Sequence, residues 1–176
     1  MMRRYLITVV FVLSVSGTAL GQAIELNAGW TVPTNDLGDL ADGGPGGNAT
    51  LTYPLGEMID LSARVGFYDH RGMTFNLPEG VEGIPAGNIT AREIPVVGGV
   101  RITVPDRRYY VEIQAGGVLK HLRLGALGES SEVFDPVMLL NAGATIWNGF
   151  GLSASYTYAR YEWRHFSGGL MYRIPF

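Results

Sequence analysis

The sequence is poor in several residue types that most soluble proteins use freely. It has no cysteine, which excludes a disulfide framework and the lipid-modified cysteine of a lipoprotein. Charged residues make up 16% of the chain, below the roughly 25% of an ordinary soluble domain. Lys120 is the only lysine, and clustered basic residues of the kind that bind nucleic acid are absent. After the N-terminus, no apolar run approaches the roughly 20 residues of a membrane-spanning helix.

The N-terminus has the three regions of a secretory signal peptide. Arg3 and Arg4 precede a largely apolar, uncharged run over residues 5–15, and small residues follow. Ala19 and Gly21 suit cleavage before residue 22, and Gly21 with Ala23 suits cleavage before residue 24. We therefore expect a signal peptide over residues 1–21 and one mature domain over residues 24–176. Removing two of the 13 basic residues leaves 11 against 16 acidic ones, a formal charge of −5.

Glycine and aromatic residues are plentiful, with 25 glycines and 11% aromatics, and the mature chain alternates apolar and polar positions. Alternation with period two is typical of β-strands, whose successive side chains point to opposite faces. Eight segments follow this pattern: 24–32, 48–55, 58–68, 93–104, 109–120, 137–146, 150–159 and 165–176. The sequence therefore predicts an all-β fold.

The connections between these segments alternate in length. Short turns are predicted at 54–57, 105–108 and 147–150, and the last contains Asn-Gly, a strong type I′ hairpin signal. Long loops are predicted at 33–47, 69–92, 121–136 and 160–164. Such alternation places all long loops at one end, as in an eight-stranded, antiparallel, up-and-down transmembrane β-barrel.

The two faces of the strands indicate which side meets lipid. The apolar face carries aromatic residues near both strand ends, as expected where rings lie at each headgroup layer. The polar face carries ionisable groups of both signs on several strands. In a membrane barrel this face points inward, so these charges are expected to pair as an interior network. Its predicted members are Glu25, Asp60, Arg64, Glu93, Arg101, Glu112 and Arg173, with Lys120 on the same face.

The last ten residues, SGGLMYRIPF, carry a resemblance to a known family. Tyr172, Ile174 and Phe176 alternate up to a terminal aromatic, which resembles the C-terminal assembly signal of bacterial outer-membrane barrels. Pro175 departs from that pattern. At the level of pattern the mature chain is similar to small barrels of the OmpA/OmpX type. The resemblance implies a location in the outer membrane, contact with lipid and lipopolysaccharide, and insertion by the barrel-assembly machinery.

Within that resemblance we expect a structural or surface-interaction protein without enzymatic activity, without a cofactor and without a wide pore, since eight strands enclose only side chains. The extracellular partner is not identified by the sequence. Two alternatives remain open. His165 and Ser167 resemble the His-x-Ser pair of lipid A deacylases, although no acidic residue follows them. The other alternative is a soluble lipocalin-like carrier, in which the polar face would point outward and the apolar face inward.

Histidine supplies no clear metal motif. His70, His121 and His165 all fall near the predicted long-loop end, but they have no fixed spacing. The sequence therefore predicts no metal site.

Overall fold

A computed structural model describes residues 22–34, 42–70, 89–104, 106, 108–124, 129–159 and 164–175. The described chain consists of eight strands and the turns between them. Their bounds are β1 (Ala23–Thr34), β2 (Gly44–Pro54), β3 (Ile59–His70), β4 (Ile89–Thr103), β5 (Tyr109–Leu124), β6 (Glu129–Trp147), β7 (Phe150–Ala159) and β8 (Arg164–Pro175). In this part of the chain, no helix is long and apolar enough to cross a membrane.

The strands form a closed barrel in sequential order, each antiparallel to its neighbours. Closure is made by β8 against β1, where Ala23 lies opposite Pro175 and Thr34 opposite Arg164. Closure gives every strand two hydrogen-bonded neighbours, which a sheet in lipid requires because unpaired backbone groups there are costly. The predicted all-β, eight-stranded, up-and-down barrel is therefore confirmed.

The strand ends differ from the prediction on the side of the long connections. β5 continues to Leu124 and β6 begins at Glu129, so the predicted loop over 121–136 was wrong: only residues 125–128 separate the two strands. Five consecutive residues of β6, from Ser130 to Phe134, are all exposed. Because neither face of this extension is buried, no period-two hydrophobic pattern marks it. Similarly, β2 and β4 begin four residues earlier than predicted.

Glycine is required at two particular places. The β6–β7 turn is made by Asn148 and Gly149 with φ of 44° and 84°, the left-handed pair of the type I′ turn that Asn-Gly predicted. Between β1 and β8, a Cβ on Gly29 would lie 2.1 Å from the carbonyl oxygen of Gly168. A larger residue at position 29 would therefore push apart the two strands that close the barrel.

The outer surface is a band of apolar side chains. Seven residues were predicted to face lipid: Leu51, Leu61, Val100, Ile113, Leu140, Leu152 and Leu170. All lie on this surface; six are exposed and Leu51 is partly covered. Exposed aromatic rings flank the band, with Trp30, Phe67, Tyr158 and Phe166 near the long connections and Tyr53, Tyr109, Phe150 and Tyr172 near the short turns. This polarity is the reverse of a soluble lipocalin-like barrel.

The barrel interior as candidate functional site

The lower half of the interior, towards the short turns, is organised around Arg101 on β4. Its guanidinium makes a two-pronged contact with the Glu25 carboxylate on β1, in which Nη2 donates to Oε2 at 2.7 Å. Both residues are completely buried. The plane of the guanidinium lies over the Tyr110 ring, 3.8 Å from its centre. A bidentate arginine–carboxylate pair is among the strongest polar contacts in proteins, and it fixes orientation as well as distance.

Glu112 on β5 joins a second arginine to this pair. Arg64 Nη2 donates to Glu112 Oε2 at 2.7 Å, and Arg101 Nη2 lies 3.4 Å from the other carboxylate oxygen. Asn141 donates to Glu112 at 3.0 Å, while Arg64 Nε donates to the hydroxyl of Thr50 at 3.0 Å. Glu112 thus bridges two arginines that come from different strands.

Arg173 completes this group near the short turns, with Nε 3.9 Å from a Glu25 oxygen. Asp60 is buried beside Arg101 in the strand register. Three arginines and three carboxylates therefore share this end of the interior, and their formal charges sum to zero. We call Glu25, Asp60, Arg64, Arg101, Glu112 and Arg173 the arginine–carboxylate network. Of the predicted interior residues, Glu93 and Lys120 lie elsewhere, at facing positions of β4 and β5.

A polar cavity lies above this network, lined by small amide and hydroxyl side chains. Asn27 donates to Asn48 at 2.9 Å and accepts from Ser153 at 2.8 Å. The cavity has a volume of about 20 Å³, which is room for about one water molecule. Within the described residues, this part of the interior therefore leaves room for about one water molecule among its paired polar side chains.

Glu93 lies at the opposite end of the interior, on the side of the long connections. It is joined there by His70, the final residue of β3, and His165, the second residue of β8. Glu93 Oε1 lies 3.3 Å from His70 Nε2, and Oε2 lies 3.8 Å from His165 Nδ1. The two imidazole centres are 5.2 Å apart. These three side chains, all buried, are called the His–Glu–His cluster.

The cluster was not predicted from the sequence, although all three members were named: His70 and His165 among the histidines, and Glu93 on the inward-facing side. His121 points to the outside, is 40% exposed and lies 3.5 Å from Glu132. Strand parity, applied to all three histidines, separates His121 from His70 and His165. It does not reveal that β3, β4 and β8 bring their ends together across the lumen, since that depends on the strand tilt.

Lys120 forms an ion pair that sequence reasoning also missed. Its Nζ donates to Asp135 at 2.9 Å, and both groups are largely buried. Asp135 falls in the stretch that was predicted to be a loop. Counting back in steps of two from the inward-facing Val137 would have placed it inside the barrel.

The residues of the deacylase alternative are both in the interior, and the structure does not bring them together as a catalytic pair. Ser167 Oγ lies 2.6 Å from Ser155 Oγ. Neither ring nitrogen of His165 has a hydrogen-bond partner among the described residues, so no Ser–His contact is present there. Both side chains face away from the lipid on which such an enzyme acts.

Two of the three residues predicted as an assembly signal are described, on β8. Tyr172 faces outward and its ring centre lies 4.6 Å from that of Phe150 on β7. Ile174 is paired with Ile24 on β1. Phe176 lies outside the described residues, as does the predicted signal peptide.

No protein-family model matches the sequence, and no curated protein matches it. Solved structures do match. Ail, the attachment invasion locus protein of Yersinia pestis, in complex with the heparin analogue sucrose octasulfate, has a TM-score of 0.59 at 15% identity, over 89% of this chain and 100% of that chain. Ail in a phospholipid bilayer nanodisc has a TM-score of 0.54 at 13% identity, over 89% of this chain and 100% of that chain.

Neisserial surface protein A is also similar, with a TM-score of 0.52 at 11% identity, over 88% of this chain and 97% of that chain. At such low identities the likeness establishes the fold and nothing more specific. Together with the closed sequential topology, it shows that this chain has the eight-stranded barrel architecture of small outer-membrane proteins.

Proposed function

We propose that this protein is an integral outer-membrane barrel that acts as a structural or surface-interaction protein and is not an enzyme. The observation that carries the proposal is the combination of an apolar, aromatic-flanked exterior with an interior filled by paired charges. The exterior suits lipid as a solvent. The filled interior argues against solute passage, so we place the role at the surface of the barrel.

The surface feature that supports an interaction role is the upper part of β4, β5 and β6. β5 and β6 remain paired up to Leu124 and Glu129, and β4 follows as far as Ile89. β7 ends at Ala159 opposite Val137. Within the described residues, positions 130–136 of β6 therefore pair with β5 only. Such an open strand edge offers backbone groups to a partner strand.

Outward-facing arginines support contact with lipopolysaccharide at the same end. Arg92 and Arg123 are exposed on β4 and β5. Arg164 on β8 lies over the outward-facing Tyr158 ring, 4.8 Å from its centre. Guanidinium groups above an apolar band are well placed for phosphates of the headgroup layer. Assembly by the barrel-insertion machinery, with Tyr172, Ile174 and Phe176 as the signal, belongs to the same proposal.

The location and orientation can be tested with an epitope inserted in the β5–β6 connection at 125–128. The antibody should bind intact cells. The same epitope in the Asn148–Gly149 turn is the matched control and should be reached only after permeabilisation. Equal labelling of both on intact cells, or recovery of the protein in the soluble periplasmic fraction, would contradict the proposal.

The surface role needs a second variant, in which residues 122–131 are replaced by an Asn-Gly turn so that the barrel keeps its membrane-embedded part. Cells producing this variant should adhere less to a host-matrix surface than cells producing the intact barrel at equal membrane levels. Equal adherence would reject the extension as the interaction surface. Mass spectra of lipid A with and without the protein separate this function from the deacylase alternative, which requires a loss of acyl chains.

A further inference from the structure

We propose that the His–Glu–His cluster is a binding site for a divalent transition-metal ion, with Zn²⁺ as the reference ion. This inference is independent of the proposed surface role. His70, Glu93 and His165 offer one carboxylate and two imidazoles whose ligand atoms all lie within 4.8 Å of one another. Imidazole nitrogen and carboxylate oxygen are ordinary zinc ligands, with bonds of about 2.0–2.2 Å.

The spacing of the ligand atoms is close to what a metal needs. Tetrahedral bonds of about 2.0–2.2 Å hold ligand atoms roughly 3.3–3.6 Å apart. Glu93 Oε1 lies 3.3 Å from His70 Nε2, and the other oxygen, Oε2, lies 3.8 Å from His165 Nδ1, so each imidazole faces a different carboxylate oxygen. With one ligand atom from each residue, the three atoms lie within 4.8 Å of one another, and the side chains would close in further around a bound ion.

Burial makes the cluster hard to explain without an additional partner. His165 is completely buried, and neither of its ring nitrogens has a hydrogen bond among the described residues. A buried polar group without a hydrogen bond costs free energy, and an apolar side chain would fill the same space without that cost. Bonding to a cation would satisfy the nitrogen that points towards Glu93. The ammonium of Lys120 is paired with Asp135, and the carboxylate of Glu93 supplies the negative charge that favours a cation beside the two imidazoles.

The position also gives the ion a physical role. β3 and β4 are neighbours, but β8 is separated from β3 by β1 and β2 along the barrel wall. An ion held by His70, Glu93 and His165 would therefore tie opposite walls of the barrel together across the lumen. Because the cluster lies on the side of the long connections, the tie would hold that end of the barrel. We expect the bound ion to slow the opening of that end.

The test uses the tag-free mature chain, refolded in detergent and stripped of metal, so that its three histidines are the only imidazoles present. Titration calorimetry with ZnCl₂ should give saturable binding of one ion per chain. His70→Gln, Glu93→Gln and His165→Gln should each weaken binding by about tenfold or more, since even residues that only support a ligand contribute that much. The matched control is His121→Gln, which should bind as the unmodified chain does.

Three results would overturn the proposal: no saturable binding by the unmodified chain, loss of binding in His121→Gln, or unchanged binding in all three cluster variants. Heat-modifiable migration in gels reports whether each variant is folded. For a variant that fails to fold, X-ray absorption of the zinc-loaded unmodified chain decides the question. Its spectrum should show two imidazoles in a nitrogen and oxygen shell at about 2.0–2.1 Å, and a spectrum with fewer than two imidazoles would also reject the site.

Discussion

The pairing of Glu25 with Arg101 allows a quantitative test of the arginine–carboxylate network. Both side chains are completely buried and joined by two hydrogen bonds. Removing one partner of a buried pair typically costs about 3–5 kcal/mol because the other charge is left uncompensated. Each single variant here keeps one further contact, with Arg101 3.4 Å from Glu112 and Glu25 3.9 Å from Arg173. We therefore expect the lower end of that range.

Glu25→Gln and Arg101→Met should each lower the free energy of unfolding by about 3 kcal/mol. The double variant removes both charges of the pair and leaves neither uncompensated. Its loss of unfolding free energy should therefore be far smaller than the sum of the losses in the two single variants. The expected coupling is about 2–3 kcal/mol, at the upper end of what contacting residues show. Reversible unfolding in urea with lipid vesicles measures each value, and the outward-facing Trp30 and Trp147 report insertion through their fluorescence.

The matched control is the pair Arg92–Asp69, whose charged atoms are also close, at 3.1 Å, but whose side chains are 59% and 28% exposed. Water screens such a pair, so the cycle of Asp69→Asn and Arg92→Gln should show a coupling of about 0.2–1 kcal/mol. If the Glu25–Arg101 coupling were no larger than that of this surface pair, the interior charges would not act as a network, and the reasoning from burial would be wrong.

Three further predictions concern the wall, the lumen and the end of the chain. Ile113→Arg on the lipid-facing side should cost about 2–4 kcal/mol of unfolding free energy. Gln114→Arg, one residue along and inside the barrel, should cost less, and equal costs in lipid-vesicle titrations would contradict the assignment of the faces. Planar-bilayer recordings should show no large, steady conductance, because paired side chains fill the interior; a stable large channel would reject the plug. Deleting Phe176, or adding a short charged tail after it, should lower the amount of heat-modifiable protein in outer-membrane fractions while refolding in detergent is preserved, and normal membrane levels for both variants would remove the targeting role.

The fold was predictable because the geometry of a membrane barrel imposes a simple residue pattern on the sequence. Each wall strand has one face in lipid and one face in the lumen, so apolar and polar residues must alternate strictly, as they do from Ile24 to Val32. The Asn148–Gly149 turn was predictable for an equally local reason, since few residue pairs tolerate two positive φ values. The same logic fails where both faces are exposed, which is why the extension of β5 and β6 was predicted as a loop.

Once the apolar face is assigned to lipid, strand parity determines that Glu25, Glu93 and Arg101 point inward, because successive side chains of a strand alternate between its faces. Which inward-facing groups meet is decided by the tilt, stagger and closure of the whole barrel, which bring residues far apart in the sequence to the same height in the lumen. Arg101 and Glu25, 76 positions apart, meet near the short turns. Glu93 meets His70 and His165 at the other end. The sequence thus determined a barrel with a charged interior, and only the tertiary structure divided those charges into a neutral network and a separate His–Glu–His cluster.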